Sequence, residues 1–249
     1  MQKPYFRDIV SAENISVKYG DEYALRDVSF SVDAGETLCI IGSSGSGKTT
    51  LLRTLNGLQP LSAGQIEVFG DRIHTISGVQ LRRKIGYVLQ QPALFPHWSV
   101  AKNIGLVPRL LKWKPEQIKN RTRELLDLVN LSPEIYTKRY PSELSGGEQQ
   151  RVGIARALAA NPDLMLYDEP FSALDPITRT GLQQELLSLK EKLRKTTVFV
   201  THDVNEAFLL GDSILILSEG RVVQKGSPEE IKSNPANDYV KTFIEGLHA

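Results

Sequence analysis

A single cysteine, Cys39, stands among the 249 residues. One thiol forms no internal disulfide and builds no cysteine-ligated metal site. It lies in the apolar run Leu38-Cys39-Ile40-Ile41 and reads as buried packing. No apolar run approaches the ~18–20 residues of a membrane-crossing helix. Residues 1–8 include Lys3, Pro4, Arg7 and Asp8, which leaves no apolar stretch for a signal peptide. Net charge is also scarce: 30 Lys and Arg stand against 29 Asp and Glu, a balance of +1. Such a chain has no global attraction to nucleic acid or anionic lipid, although a local basic patch stays open. Repeats of roughly 20–50 residues and low-complexity tracts are missing. These absences lead us to expect a cytoplasmic protein whose membrane role, if it has one, runs through partners.

What is present is ordinary globular material, with 41% hydrophobic and 24% charged residues. The length suits one generous domain, or a core with an inserted subdomain. Short β-branched runs at 9–17, 28–32, 37–41, 84–89, 164–167, 197–200 and 213–217 alternate with helical patterns. Several are continuously apolar, as strands covered on both faces are. The alternation predicts an α/β fold around a largely parallel sheet. The run at 9–17 alternates imperfectly, and Asp33-Ala34-Gly35-Glu36 makes a turn into the next strand, so an antiparallel piece is expected beside the parallel core. Residues 99–160 look almost purely helical. The expected organisation is a single domain over 1–249, with a core at 1–91 and 161–249 and a helical subdomain at 92–160. Helix starts are legible at Ser227-Pro228-Glu229-Glu230, at Asp203-Val204-Asn205-Glu206 and at Asp175-Pro176.

Gly42-Ser43-Ser44-Gly45-Ser46-Gly47-Lys48-Thr49 fits the spacing of a phosphate-binding loop and is followed by Thr50. Glycines let backbone N–H groups approach phosphate oxygens, Lys48 supplies a point charge, and the Thr49 hydroxyl can hold Mg²⁺. A buried strand precedes the loop, and Leu51, Leu52 and Leu55 follow on a helix whose positive end faces the anion. A second apolar run, Leu164-Met165-Leu166-Tyr167, ends in Asp168-Glu169. In a parallel sheet the carboxyl end of a strand faces the ligand crevice. Asp168 is there placed to hold Mg²⁺ through water, and Glu169 to orient or polarise the attacking water.

Between these lies Leu144-Ser145-Gly146-Gly147-Glu148-Gln149-Gln150-Arg151, which resembles the signature of ATP-binding cassette (ABC) ATPases. Ser145 and Glu148 also form a capping box, so the segment both starts a helix and presents an anion site. The resemblance covers nearly the whole chain and implies a P-loop NTPase core, an N-terminal antiparallel β piece and a helical subdomain. It further implies that Tyr19 stacks on adenine and that Gln90 reaches the metal and the water. Asp175, in Ser172-Ala173-Leu174-Asp175, corresponds to the family's D-loop, and it is equally a helix cap. His202 corresponds to the switch histidine at the γ-phosphate. By the same resemblance two copies pair head to tail on two Mg-ATP, with Ser145, Gly146, Gly147 and Glu148 serving the nucleotide of the other copy.

Phe95-Pro96-His97-Trp98-Ser99-Val100, Val107-Pro108-Arg109-Leu110-Leu111-Lys112-Trp113 and Asn234-Pro235-Ala236-Asn237-Asp238-Tyr239-Val240 are similar to the ATPase subunits of bacterial osmoprotectant importers. That branch carries glycine betaine, choline and related solutes. It implies two integral membrane permease subunits docking near Ala93 to Trp98, and an extracytoplasmic solute-binding protein acting through them. Phe95 and Trp98 are as readily buried within the helical subdomain. The sequence stops at Ala249, where such ATPases often continue into paired CBS domains, so regulation is expected to lie elsewhere. Two other readings stand beside this one. One is the same motor for another small solute such as an amino acid. The other is a nucleic-acid ATPase, which the +1 balance and the single cassette disfavour.

Overall fold

The computed structural model describes residues 8–245, so most of the N-terminal segment read above for a leader lies outside the described residues. The chain runs β1 (Asp8–Tyr19), β2 (Glu22–Asp33), β3 (Thr37–Ile41), α1 (Lys48–Leu55), β4 (Ala63–Val68), β5 (Asp71–Arg72) and α2 (Gly78–Lys84). It continues through β6 (Ile85–Val88), α3 (Val100–Ile104), α4 (Leu106–Leu110), α5 (Pro115–Leu128), α6 (Pro133–Tyr136), a 3-10 turn at Pro141–Glu143, and α7 (Gly146–Leu158). β7 (Leu164–Asp168), α8 (Pro176–Leu193), β8 (Thr196–Val200), α9 (Val204–Leu210), β9 (Ser213–Ser218), β10 (Arg221–Gly226), α10 (Pro228–Ser233) and α11 (Asp238–Glu245) complete it. Two compact units result. The first takes the chain up to residue 82 and from 195 onward, and the second takes 83–194.

In the first unit, β3 is wholly buried and pairs in parallel with β8 on one side and β9 on the other. β10 closes the edge antiparallel to β9. An antiparallel sheet accompanies it in the order β2-β1-β4-β5. The turn at 33–36 forms as read, with Glu36 N–H donating to Asp33 O at 3.1 Å, but it leads from β2 into the parallel sheet. The antiparallel partner of β2 is β1, joined to it through Gly20-Asp21. The uneven alternation of β1 has a cause. The register shifts between Ala12 and Ile15, and Asn14 sits at φ 47. A bulge of this kind moves the following side chains to the opposite face. The cap at Ser227 also forms: Ser227 Oγ accepts from Glu230 N–H while Glu230 reaches back to the Ser227 N–H. Replacing Ser227 with Ala is expected to cost about 1 kcal/mol, read as a lower denaturant midpoint at unchanged slope.

The second unit contains the helical stretch expected at 92–160 together with 83–91 and 161–194. Its core strands β6 and β7 are parallel, with Val88 opposite Tyr167. β7 is buried throughout, and burial pushes the Tyr167 phenol far above its ordinary range. α8 starts on Asp175, whose carboxylate accepts from Thr178 N–H at 3.0 Å, with Pro176 in the first turn. Among the described residues no helix is long and apolar enough to cross a membrane.

Candidate functional site

The phosphate loop belongs to the first unit. β3 delivers the chain to Gly42, and α1 begins at Lys48. Gly47 takes φ 102, and a Cβ built there would lie 2.5 Å from Ala24 O. A Cβ at Gly42 would lie 2.1 Å from Leu217 O. Both positions therefore admit only glycine, for conformation at Gly47 and for space at both. Lys48 is 6% exposed, and its Nζ donates to Gly42 O and Ser43 O at 2.9 Å each. No side chain caps α1 and no acidic residue stands in its first turn. By contrast α7, α8, α9 and α10 start on Ser145, Asp175, Asp203 and Ser227, each of which accepts a first-turn N–H. An uncapped start beside a buried ammonium is a cradle for an anion. Ser46 Oγ, buried within the same loop, has no hydrogen-bond partner among the described residues. Ser44 and Gly45 are exposed at the loop's outer edge, and Thr49 and Thr50 are half-buried in the first turn of α1.

Tyr19 ends β1, 55% exposed, with its hydroxyl donating to Gln59 Oε1 at 2.7 Å. His202 follows β8 and is exposed. The turn that carries it is built by its neighbours. Thr201 N–H donates to Ile40 O at 3.2 Å, and the Thr201 hydroxyl donates to the buried Glu206 carboxylate and accepts from Asp203 N–H. Asp203 accepts from the N–H groups of Asn205 and Glu206 and so starts α9.

Asp168 and Glu169 belong to the second unit, at the carboxyl end of β7. Asp168 is buried, and its Oδ2 accepts from the Tyr87 hydroxyl at 3.0 Å, offered by the neighbouring strand β6. Glu169 takes φ 45, a left-handed backbone that is strained for a side chain of its size. Ser172 holds that turn, both its N–H and its Oγ donating to Glu169 O at 3.2 and 3.0 Å. Gln90 follows β6 and is exposed.

The capping box at the start of α7 is formed, with Ser145 Oγ accepting from Glu148 N–H and Glu148 Oε2 accepting from Ser145 N–H. Glu148 Oε1 accepts from the Tyr136 hydroxyl, and that bond holds the Glu148 carboxyl below its usual range. Glu148 is thus engaged inside its own unit, while Gly146 is exposed and open on its Cβ side to 4.0 Å. The hydrogen bond from Thr178 lowers the pKa of Asp175, whose side chain faces solvent from the start of α8.

Tyr87, Tyr136 and Thr201 escaped the sequence reading, and Glu206, read there only as part of a helix start, turns its carboxylate to Thr201 instead of back to the Asp203 N–H. The burial of Glu206 is a fact of the fold that the sequence does not display. The two tyrosines depend on strand register and on helix placement, which one sequence does not show.

A glycine turn feeding an uncapped helix, together with a buried strand ending in Asp-Glu and a Ser-Gly-Gly helix start, defines a P-loop protein of the ATP-binding cassette class. The profile of the ABC transporter family matches residues 25–172, and the chain belongs to that family. It is 53% identical over 237 residues, 95% of its length, to a choline transport ATP-binding protein of Bacillus subtilis, OpuBA, of which it covers 62%. It is 44% identical to the glycine betaine uptake system ATP-binding protein YehX of Escherichia coli, covering 95% of this chain and 76% of that one. The chain spans about three-fifths of the length of the first such relatives. Among solved structures, the dimeric post-hydrolysis state of the cassette MJ0796 bound to ADP and Pi superposes with a TM-score of 0.77. Identity there is 35%, covering 88% of this chain and 98% of that one. The protein cbiO1 of Clostridium perfringens superposes at 0.83 with 28% identity, covering 93% of each.

Among the described residues no group of three or more His, Cys, Asp or Glu is placed to cage a metal ion. The expected donors Thr49, Gln90 and Asp168 are all hard oxygens. That set suits Mg²⁺ arriving on a nucleotide, where phosphates and water complete the shell.

Proposed function

We propose that the chain is the ATP-hydrolysing subunit of an importer for small solutes of the glycine betaine and choline class. The observation that carries the ATP reading is the uncapped start of α1 behind a glycine turn, with Lys48 buried against it. The relatives named for choline and glycine betaine transport support the cargo. Lys48 and the first N–H groups of α1 hold the phosphates, and Tyr19 receives the base. Glu169 takes the proton of a water whose oxygen attacks the γ-phosphorus, while the bond to the bridging oxygen breaks and ADP and phosphate leave. Gln90 orients that water and His202 contacts the γ-phosphate. Mg²⁺, held through Thr49 and Asp168, would neutralise phosphate charge as it develops.

Two copies close on two ATP, each offering Ser145, Gly146 and Gly147 to its partner's nucleotide, and closure pulls on two permease subunits served by an extracytoplasmic binding protein. The chain sits peripherally at the cytoplasmic face of the membrane. The segment expected to dock is formed and displayed: Phe95 is 38% exposed and packs against Trp98 at 4.6 Å between ring centroids, with Arg109 over the Trp98 ring.

Affinity purification of the tagged subunit from gently solubilised native membranes tests the whole. Polytopic membrane proteins and a solute-binding protein that takes up betaine or choline are expected. Recovery of ribosomes or DNA would overturn the transport reading. A smaller test concerns the metal. Tyr87→Phe removes only the hydroxyl on Asp168, an outer-shell contact whose loss typically costs 10–100-fold. The Mg²⁺ concentration for half-maximal turnover is expected to rise by at least about tenfold, with nucleotide binding in EDTA unchanged.

A further inference from the structure

The loop that begins at Gln90 is gripped from within its own unit by a half-buried cation. Arg156, near the end of α7, donates from Nη2 to Pro92 O at 2.6 Å and from Nη1 to Ala93 O at 2.8 Å. It makes no ion pair among the described residues. Burial alone pulls its pKa below the ordinary guanidinium value. A guanidinium partly withdrawn from water needs its donors satisfied. Its satisfaction here comes from two consecutive main-chain carbonyls. Ala93 takes φ 46, the left-handed backbone in which successive carbonyls point the same way. A strained residue and a planar fork therefore fit one another at this point.

Two further residues on α7 extend the grip. Gln150, 1% exposed, donates to Leu89 O at 3.4 Å, the residue before Gln90. Gly153 packs against Pro92, where a Cβ would sit at ordinary contact distance, 3.6 Å from the proline Cβ. Positions 150, 153 and 156 fall in one i, i+3 row of the helix. Beyond the row, the fully buried Asn103 takes over. Its Oδ1 accepts from Phe95 N–H at 2.8 Å, and its Nδ2 donates to Phe95 O, Trp98 O and Ser99 O at 3.1 to 3.2 Å. Main-chain groups between 89 and 99 are thus held by side chains of this unit, while Gln90 and Phe95 are left exposed.

We propose that Arg156 is a positioning residue that fixes the Gln90 loop to the helix opening on Ser145-Gly146-Gly147, so that these two motifs keep one geometry. The proposal rests on the ATPase reading for what Gln90 and the signature do, but the grip itself stands on the hydrogen bonds above. It gives α7 a double task, with its first turn presenting the signature and its last turn holding the loop of Gln90. A change of position at the aromatic segment then reaches the signature helix through Arg156. Lysine replaces the fork only in part, because its ammonium lacks the planar, rigid pair of N–H groups that meets the two carbonyls here.

The test uses the full chain with Arg156→Ala and Arg156→Lys. Arg156→Ala is expected to lower kcat by about 10- to 100-fold, the scale of a misplaced positioning contact, with the KM for ATP within twofold of wild type. Arg156→Lys is expected to fall between the two. Hydrogen exchange at the amides of Gln91, Ala93, Leu94 and Phe95 should quicken in Arg156→Ala before any loss of the far-ultraviolet helix signal. Arg156→Ala that is folded yet keeps wild-type kcat overturns the proposal. So does unchanged exchange at those amides. A merely structural arginine would lower Tm and leave kcat intact below the transition. If Arg156→Ala does not fold, Arg156→Lys decides on the same readings. If the wild-type chain hydrolyses no ATP, the functional reading falls while the exchange result still judges the grip.

Discussion

Glu169→Gln is expected to yield a protein that binds ATP, pairs on it and scarcely turns it over. The substitution keeps the shape and the hydrogen-bonding reach of the side chain but removes a proton acceptor. The backbone that aims it is independent of the carboxylate: the left-handed turn at Glu169 is held through its carbonyl by Ser172. Geometry should therefore survive while proton transfer fails. A positioned general base contributes about 10²–10⁴ in rate, and a loss of that order in kcat is expected. Removing one of two adjacent acids also lowers the repulsion that ATP meets on approach, so affinity should hold or rise. Light scattering in Mg-ATP reads the pairing, and single-turnover assays read the chemistry. A variant that stays monomeric in saturating Mg-ATP would refute the exchange of signature loops between copies. Wild-type turnover would remove Glu169 as the base and leave the rest of the site standing.

The parts of this site legible in the sequence are those where local chemistry dictates residue type. Gly42 and Gly47 could be read because a Cβ has no room there, and Asp168-Glu169 because an apolar strand ends on them. Strands β3, β7 and β8 were legible for the same reason, being buried on both faces. The capping residues Ser145, Asp175 and Ser227 were readable from spacing alone, since a cap acts over three residues. Tertiary register was not readable. Tyr87 reaches Asp168 because β6 pairs with β7, and nothing at position 87 announces it. β10 is a half-exposed edge strand without a continuous apolar run, and β4 is broken by Gly64 and Gln65, so neither carried a strand signal. For Phe95 and Trp98 the sequence left burial and display equally open. The structure divides them, with Phe95 exposed and Trp98 half-buried under Arg109.

Lys48→Ala is expected to abolish useful nucleotide affinity while leaving the fold in place. The ammonium is bonded to Gly42 O and Ser43 O of its own loop, so the lysine is held in place beside α1. At the exposed Ser43 water can take over at the carbonyl, while the buried Gly42 carbonyl loses a donor at a cost of about 1–3 kcal/mol. Against a triphosphate the missing charge is not replaced. Removing one partner of a buried charge pair costs about 2–5 kcal/mol, which corresponds to a loss in Kd of at least about 30-fold. Equilibrium binding of ATP reads this directly, with Tm as the control on folding. Lys48→Arg separates charge from fit. It restores the positive charge, yet the site holds a single nitrogen 2.9 Å from both Gly42 O and Ser43 O. A guanidinium fork also cannot occupy the place of a compact ammonium. The arginine variant is therefore expected to bind nearly as poorly as the alanine one. Wild-type affinity in Lys48→Arg would show that charge near α1 suffices and that the shape of the glycine cradle does not select lysine. Wild-type affinity in Lys48→Ala would take Lys48 out of the site and leave the uncapped start of α1 as the sole anchor for phosphate.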